Sequence, residues 1–225
     1  MTEPIRIANC SGFFGDRQAA AREMVDGGPI DVLTGDYLAE LTMLILARQK
    51  MKHGNGYART FMTQMEQVLG TCIDRGIRIV SNAGGLNPGG LADRIRSLAD
   101  ELGIALSVAH IDGDDIRPRL EEMQTRGLEF RHLDKDITLA KSAVSPVSAN
   151  AYLGGWGIAA ALAGGADVVI CPRVTDAALV VGSAAWWHKW DRTDYDALAG
   201  AVAAGHIIEC GPQASGGNYS QIDEI

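Results

Sequence analysis

Short β-branched runs alternate with longer stretches of helical period along most of this chain. The segments 5–9, 30–34, 77–80, 105–109 and 167–171 read as strands, and 206–209 as a short sixth. Between them the spacing of apolar residues predicts helices over 16–25, 37–51, 58–74, 89–102 and 117–124. Three more are predicted, an Ala-rich one over 150–163 capped by Asn150, then 175–188 and 195–204. Strands separated by helices of ten or more residues cannot be hairpins; they build βαβ units and a mainly parallel sheet. Several of the runs are uniformly apolar, as strands covered on both faces are, and their crossovers are right-handed. The prediction is an α/β chain with a Rossmann-like three-layer fold. A closed (β/α)₈ barrel is the competing architecture, but it wants about 250 residues and eight strands.

The length of 225 residues fits a single α/β domain, with the less regular segment 127–150 read as a local insertion. There are 27 glycines, against about 16 at the usual share of roughly 7%. They have no fixed period, so they serve turns inside a packed fold. Aromatic residues make up only 6%, which speaks against a sandwich or barrel. The formal net charge is −8 and no basic stripe occurs, so nucleic acid is not an expected partner. No apolar run approaches the ~20 residues of a membrane span, and the N-terminus has no signal-peptide pattern. Cys10, Cys72, Cys171 and Cys210 are far apart with no CxxC pair, which reads as free thiols in a reducing cytoplasm. A homo-oligomer is left open.

Ligands of open parallel sheets bind outside the carboxyl ends of the strands. Here those ends carry Asn9-Cys10-Ser11-Gly12, Thr34-Gly35-Asp36, Ser81 to Gly85, His110 to Asp115, Cys171 to Asp176 and Glu209 to Pro212. Each joins a glycine or proline turn to small polar or charged residues, whereas the opposite loops are plain stops. This asymmetry predicts one composite site on the carboxyl edge.

Within it, Ser11-Gly12-x-x-Gly15-Asp16 could hold an anion on backbone N–H groups, or be an ordinary turn. It matches neither dinucleotide nor phosphate-loop fingerprints. The loop Asn82 to Gly90 has four glycines within the seven positions 84–90, as a close approach to a ligand would need. His110, Asp112, Asp114 and Asp115 form the densest donor cluster, and Mg²⁺ is the cation they would suit. Capping of a following helix is the preferred reading of Asp114 and Asp115, while Asp112 is left open as a general base. Arg173 past a buried strand, with Thr175 as an N-cap and Asp176 in the first turn, suits a carboxylate or phosphate, or else an internal ion pair with Asp176. His206, Glu209 and Cys210 offer a base, an acid and a thiol, but strand geometry does not bring His206 to Cys210. The thiols read as buried and inert.

Several of these blocks, in this order, resemble the acyclic terpene utilisation family. They are Thr34-Gly35-Asp36-Tyr37-Leu38-Ala39-Glu40, Ser81 to Pro88, Asn150-Ala151-Tyr152-Leu153-Gly154, Cys171 to Asp176, Gly205 to Gln213 and Ser215 to Ser220. The resemblance implies a bacterial or fungal cytoplasmic protein of citronellol- and geraniol-type breakdown, a route that runs through CoA thioesters with acyl-CoA carboxylases as companions. It carries over no catalytic residue. It also implies longer members, so residues 1–225 are expected to be the N-terminal part of a larger architecture.

Two functions follow as expectations. One is a hydratase, lyase or hydrolase acting on a CoA thioester or small carboxylate. Asp36, Asp112 or Asp176 would be its base, and Asn82, Gly84, Gly85 and Asn87 its cradle. Arg173 would be its anion partner, and Ser11, Gly12, Thr175 and Glu209 would line the site. The other is a non-catalytic CoA-thioester binding or assembly subunit beside a carboxylase.

Overall fold

A computed structural model describes residues 3–211 and 214. The Gly- and Ser-rich block 215–220 and Pro212 lie outside the described residues. Five strands form one all-parallel sheet: β1 (Ile7–Asn9), β2 (Val32–Gly35), β3 (Arg78–Ser81), β4 (Val108–His110) and β5 (Val168–Ile170), in the order β1-β2-β3-β5-β4. The register pairs Ala8 with Leu33, Leu33 with Ile79, Val80 with Val169, and Ala109 with Val169.

The helices are α1 (Ala20–Asp26), α2 (Glu40–His53), α3 (Arg59–Asp74), α4 (Pro88–Leu102), α5 (Leu120–Thr125), α6 (Trp156–Ala163), α7 (Ala178–His188) and α8 (Tyr195–Glu209). Alternation along the strands divides them between two cores. Leu33, Ile79, Val168 and Ile170 pack with Ala21, Phe61, Leu69, Leu91 and Ile95 of α1, α3 and α4. Val32, Val80, Val169 and Cys171 pack with Ile158, Leu162, Ala178 and Leu179 of α6 and α7. Side chains of successive strand residues point to opposite faces, so this division places one helical layer on each side of the sheet. The result is the three-layer α/β fold that the alternation predicts.

The chain order explains the layers. From β1 to β4 the connections advance across the sheet, and right-handed crossovers keep their helices on one face. The chain then turns back to insert β5 between β3 and β4, which sends α6 to the other face. The loops after the neighbouring strands β3 and β5 therefore diverge to opposite layers, into α4 and α7, which makes the carboxyl edge between them the ligand crevice of such a sheet.

Several local expectations are corrected. The segment His206–Glu209 is not a sixth strand but the last turn of α8. Its adjacent isoleucines look strand-like, yet the Ala-rich run before them carries the helix onward. Gly205 does not stop it, because this glycine is a close-packing position: a Cβ there would stand 2.8 Å from Ala177 Cβ. Helix α7 starts three residues later than predicted, with Ala177 and not Thr175 at its N-cap position. Asn150 caps no helix and pairs with Asp115 in an isolated bridge. In α2 the buried face is Thr42, Met43, Leu46 and Ala47, while Leu41 is exposed. Segment 127–150 holds a 3-10 turn at Leu139–Lys141 and an isolated Arg131–Thr138 bridge. Among the described residues no helix is long and apolar enough to cross a membrane.

Candidate functional site

Residues from β1, β2, β5 and α8 meet on the carboxyl edge. The C-terminal turn of α8 docks on the loop after β1: Asn9 Nδ2 donates to Glu209 O at 2.9 Å and to Ser11 O at 2.8 Å. The approach is tight, since a Cβ at Gly12 would stand 2.9 Å from Glu209 O. Ser11 O in turn accepts the Asp36 N–H at 2.8 Å, which ties the loops after β1 and β2 together.

Asp36 is 3% exposed. Its Oδ1 accepts the Leu38 N–H at 3.1 Å and Asn82 Nδ2 at 2.6 Å. Its Oδ2 is buried without a hydrogen-bond partner. Burial pushes this carboxyl up to about 7, against the bonds from Asn82 and Leu38, and the negative charges of Glu209 and Asp176 push the same way as burial.

Toward solvent stand Asp176, from the loop between β5 and α7, and His206 and Glu209, one turn apart on α8. Their ligand-type atoms all lie within 4.8 Å of one another. His206 Nδ1 is 3.8 Å from Glu209 Oε1. The Cys210 thiol donates to Glu209 Oε1 at 3.4 Å, and burial together with that carboxylate holds the thiol in its protonated form. Helical geometry achieves what a strand could not, because residues three apart share one helix face.

Arg173 closes the flank, with its side chain almost wholly buried. Nη1 donates to Leu38 O at 2.9 Å and lies 3.5 Å from Asp176 Oδ1, while Nη2 lies 3.3 Å from Glu40 Oε1. The guanidinium carbon sits 4.2 Å over the Tyr152 ring. The Tyr152 hydroxyl donates to Glu40, and this bond leads the causes that lower the Glu40 carboxyl below its ordinary range. The ion pair between Arg173 and Asp176 is therefore present, and Glu40 and Tyr152 join it.

The glycine loop after β3 is spent internally. Ala83 N–H donates to Ser81 Oγ, Gly84 to Cys171 O, Gly85 to Asn82 O, Leu86 to Gly56 O and Asn87 to Gly84 O. Asn82 Oδ1 accepts the Tyr37 N–H, and Asn87 caps α4 through the Gly90 N–H while donating to Asn55 O. Gly84 and Gly85 serve close packing: added Cβ atoms would stand 2.6 Å from Cys171 O and 2.5 Å from Leu46 Cδ1, and Gly85 has φ +51°. The loop after β1 behaves alike, since Gly12 N–H donates to Asp16 Oδ2 at 3.0 Å. The anion held there is the chain's own carboxylate.

The other predicted donors do not converge. Among the described residues His110, Asp112, Asp114 and Asp115 form no group of metal-ligand geometry. Asp112 is exposed. Asp114 is no helix cap: its Oδ2 accepts Asn150 Nδ2 at 2.7 Å and the Arg173 N–H at 3.1 Å. Asp115 Oδ1 accepts the Arg117 N–H at 2.9 Å. Thr175 is exposed, and its N–H donates to Leu153 O. Glu40, Tyr152 and Gln64 were not predicted as site residues. Gln64 is buried and donates to Cys10 O and Arg17 O.

On the same edge, α2 and the segment after β4 enclose a cleft of about 330 Å³. Ala47, Met51, Leu86 and Val147 make its apolar wall, Lys50 and Arg117 bring two cations to it and Asp115 one carboxylate, and Lys50 Nζ donates to Leu86 O at 2.8 Å.

No curated protein and no solved structure gives a significant match to the chain. Over residues 5–225 it matches the family model described as acyclic terpene utilisation family protein AtuA, and the chain belongs to that family.

Proposed function

We propose that the chain is an enzyme of acyclic terpene breakdown that acts on a CoA thioester or small carboxylate by hydratase, lyase or hydrolase chemistry. The observation that carries this reading is the convergence of Asp176, His206 and Glu209 at the mouth of the carboxyl edge, with the buried Asp36 joined to Asp176 through Leu38 and Arg173. Three carboxyl groups and an imidazole in one place can take a proton from one atom of a substrate and return it to another, as addition or loss of water requires. Asp176, His206 and Glu209 reach solvent and would touch the substrate. Asp36 is too deep for that and would act through them. The cleft supports the substrate class, because its two cations outnumber the one carboxylate, Asp115, and stand beside an apolar wall, which suits an anion that carries hydrocarbon.

The second reading is a CoA-thioester binding or assembly subunit that works with an acyl-CoA carboxylase. The pairing of every backbone N–H from Ala83 to Asn87 favours it, since the loop offers no free donors there to a developing oxyanion.

The test is mass-spectrometric: branched acyclic CoA thioesters and their free acids are incubated with the protein, and both binding and mass change are followed. The enzyme reading predicts that one compound gains or loses water or is hydrolysed. It also predicts that Asp176→Asn lowers this rate at least tenfold while binding persists. Binding without any change in mass, across the series, would leave the subunit reading.

A further inference from the structure

The end of α8 has the composition of a cation site. The ligand atoms of Asp176, His206 and Glu209 lie within 4.8 Å of one another. Around an ion with ligands at ~2.0–2.2 Å, donor atoms stand about 3–4.4 Å apart. The three side chains are therefore already within a small rotamer adjustment of a common ion. His206 and Glu209 share a helix face, and Asp176 faces them from the loop after β5.

A second observation stands apart from that cluster. Asp36 is buried, and its Oδ1 takes both of its donors, Leu38 N–H and Asn82 Nδ2. Oδ2 is left without a partner, although an isolated buried carboxylate oxygen is costly. Hydrogen bonds set Asp36 beside the same cluster: Leu38, whose N–H it accepts, gives its carbonyl to the Arg173 that pairs with Asp176, and Ser11 O, which takes the Asp36 N–H, shares the Asn9 amide with Glu209 O. Three carboxylates thus crowd one place. The cation at hand is Arg173, which lies 3.5 Å from Asp176 and is also engaged by Leu38 O and Glu40.

We propose that Asp176, His206 and Glu209 bind a divalent transition-metal ion, with Asp36 behind them as the carboxylate that joins the ion through one water. An imidazole with carboxylates selects a borderline ion such as Zn²⁺ over Mg²⁺, which prefers oxygen alone. His206 would bind through Nδ1, the nitrogen that now faces Glu209. Two protein carboxylates and one imidazole leave a position open for water, the arrangement of catalytic and not structural sites. This inference rests on the reading that the cluster is the working site.

The experiment uses the full chain, freed of metal by a chelator and titrated with ZnCl₂ by calorimetry. Co²⁺ supplies a visible absorption band as a second readout. One equivalent of Zn²⁺ should bind with a Kd below about 10 μM. His206→Ala and the near-isosteric Glu209→Gln should each weaken binding at least about tenfold, and Asp176→Asn likewise. Cys210→Ser should retain it. Binding weaker than about 10 μM, unchanged affinity in His206→Ala and Glu209→Gln, or a loss confined to Cys210→Ser overturns the site. The two readings separate. Thioester turnover by a protein that shows no such Zn²⁺ binding ends the metal site and keeps the proposed reaction, whereas Zn²⁺ bound with the expected variant pattern but no compound consumed does the reverse.

Discussion

Asn82 holds Asp36 from one side: its Nδ2 donates to Asp36 Oδ1 at 2.6 Å while its Oδ1 accepts the Tyr37 N–H at 2.8 Å. Both ends of one amide are thus used to fix the loop after β2 against the loop after β3. Asn82→Ala strands a buried backbone N–H and removes a bond to a carboxylate, so it should cost about 2 kcal/mol or more by chemical denaturation. The bond from Asn82 is also the strongest force holding the Asp36 carboxyl down. The same variant should therefore raise the Asp36 pKa further, which a carboxyl-carbon NMR titration would read. A fall or no change in that pKa would contradict the geometry.

Asp36 makes stability depend on pH with a definite sign. Its folded pKa of about 7 lies above the ordinary 3.8. The folded chain therefore binds this proton more tightly than the unfolded chain does. The contribution is complete below the ordinary value and is lost as pH rises from about 4 through 7. In chelator, denaturation midpoints measured across that interval should show the decline, superposed on other titrations. Asp36→Asn, which stays neutral, should flatten it. An unchanged slope in Asp36→Asn would mean that the group titrates normally.

The layers and the sheet were legible because parallel strands covered on both faces write themselves as apolar runs, as Val168-Val169-Ile170 does. The composite edge was legible for the same reason, since strand ends fix which loops are neighbours. What escaped was tertiary. Four residues with two isoleucines look alike as strand or helix, and only as helix do His206 and Glu209 share a face. The Asn82–Gly90 loop announces backbone freedom, but not who uses it. Its partners, Cys171 O and Gly56 O, are distant in sequence. Asp36 could be listed as a candidate, yet its isolation depends on burial that no local pattern encodes.

The four thiols should differ in reactivity. Cys10, Cys72 and Cys171 are buried, and burial pushes the first two up to about 12 and the third up as well. Cys210 is half-buried at the end of α8. Burial and Glu209 hold this thiol protonated too, so access and not thiolate character sets it apart, and a colorimetric disulfide reagent should find one slowly reacting thiol in the native chain and four in denaturant. Cys210→Ser should remove the native reaction. Several equivalents reacting at once in the native chain would contradict the burial.

Two helical glycines should respond in opposite directions to alanine. Gly182 of α7 is the contact with α6: a Cβ there would stand 2.5 Å from Gly155 O and 2.6 Å from Ile158 Cβ. Part of that obstacle is backbone, which cannot rotate away, so the helices must separate. Overpacking of this kind costs about 1–3 kcal/mol, against a helix-propensity gain of about 1 kcal/mol. Gly182→Ala should therefore lower the thermal midpoint. Gly200 of α8 is exposed with open space around its added Cβ, so Gly200→Ala keeps the propensity gain and should raise it. The comparison separates packing from propensity, because the chemical change is the same and only the neighbour differs. A rise in both variants would mean that α6 and α7 are not in the close contact that Gly182 permits.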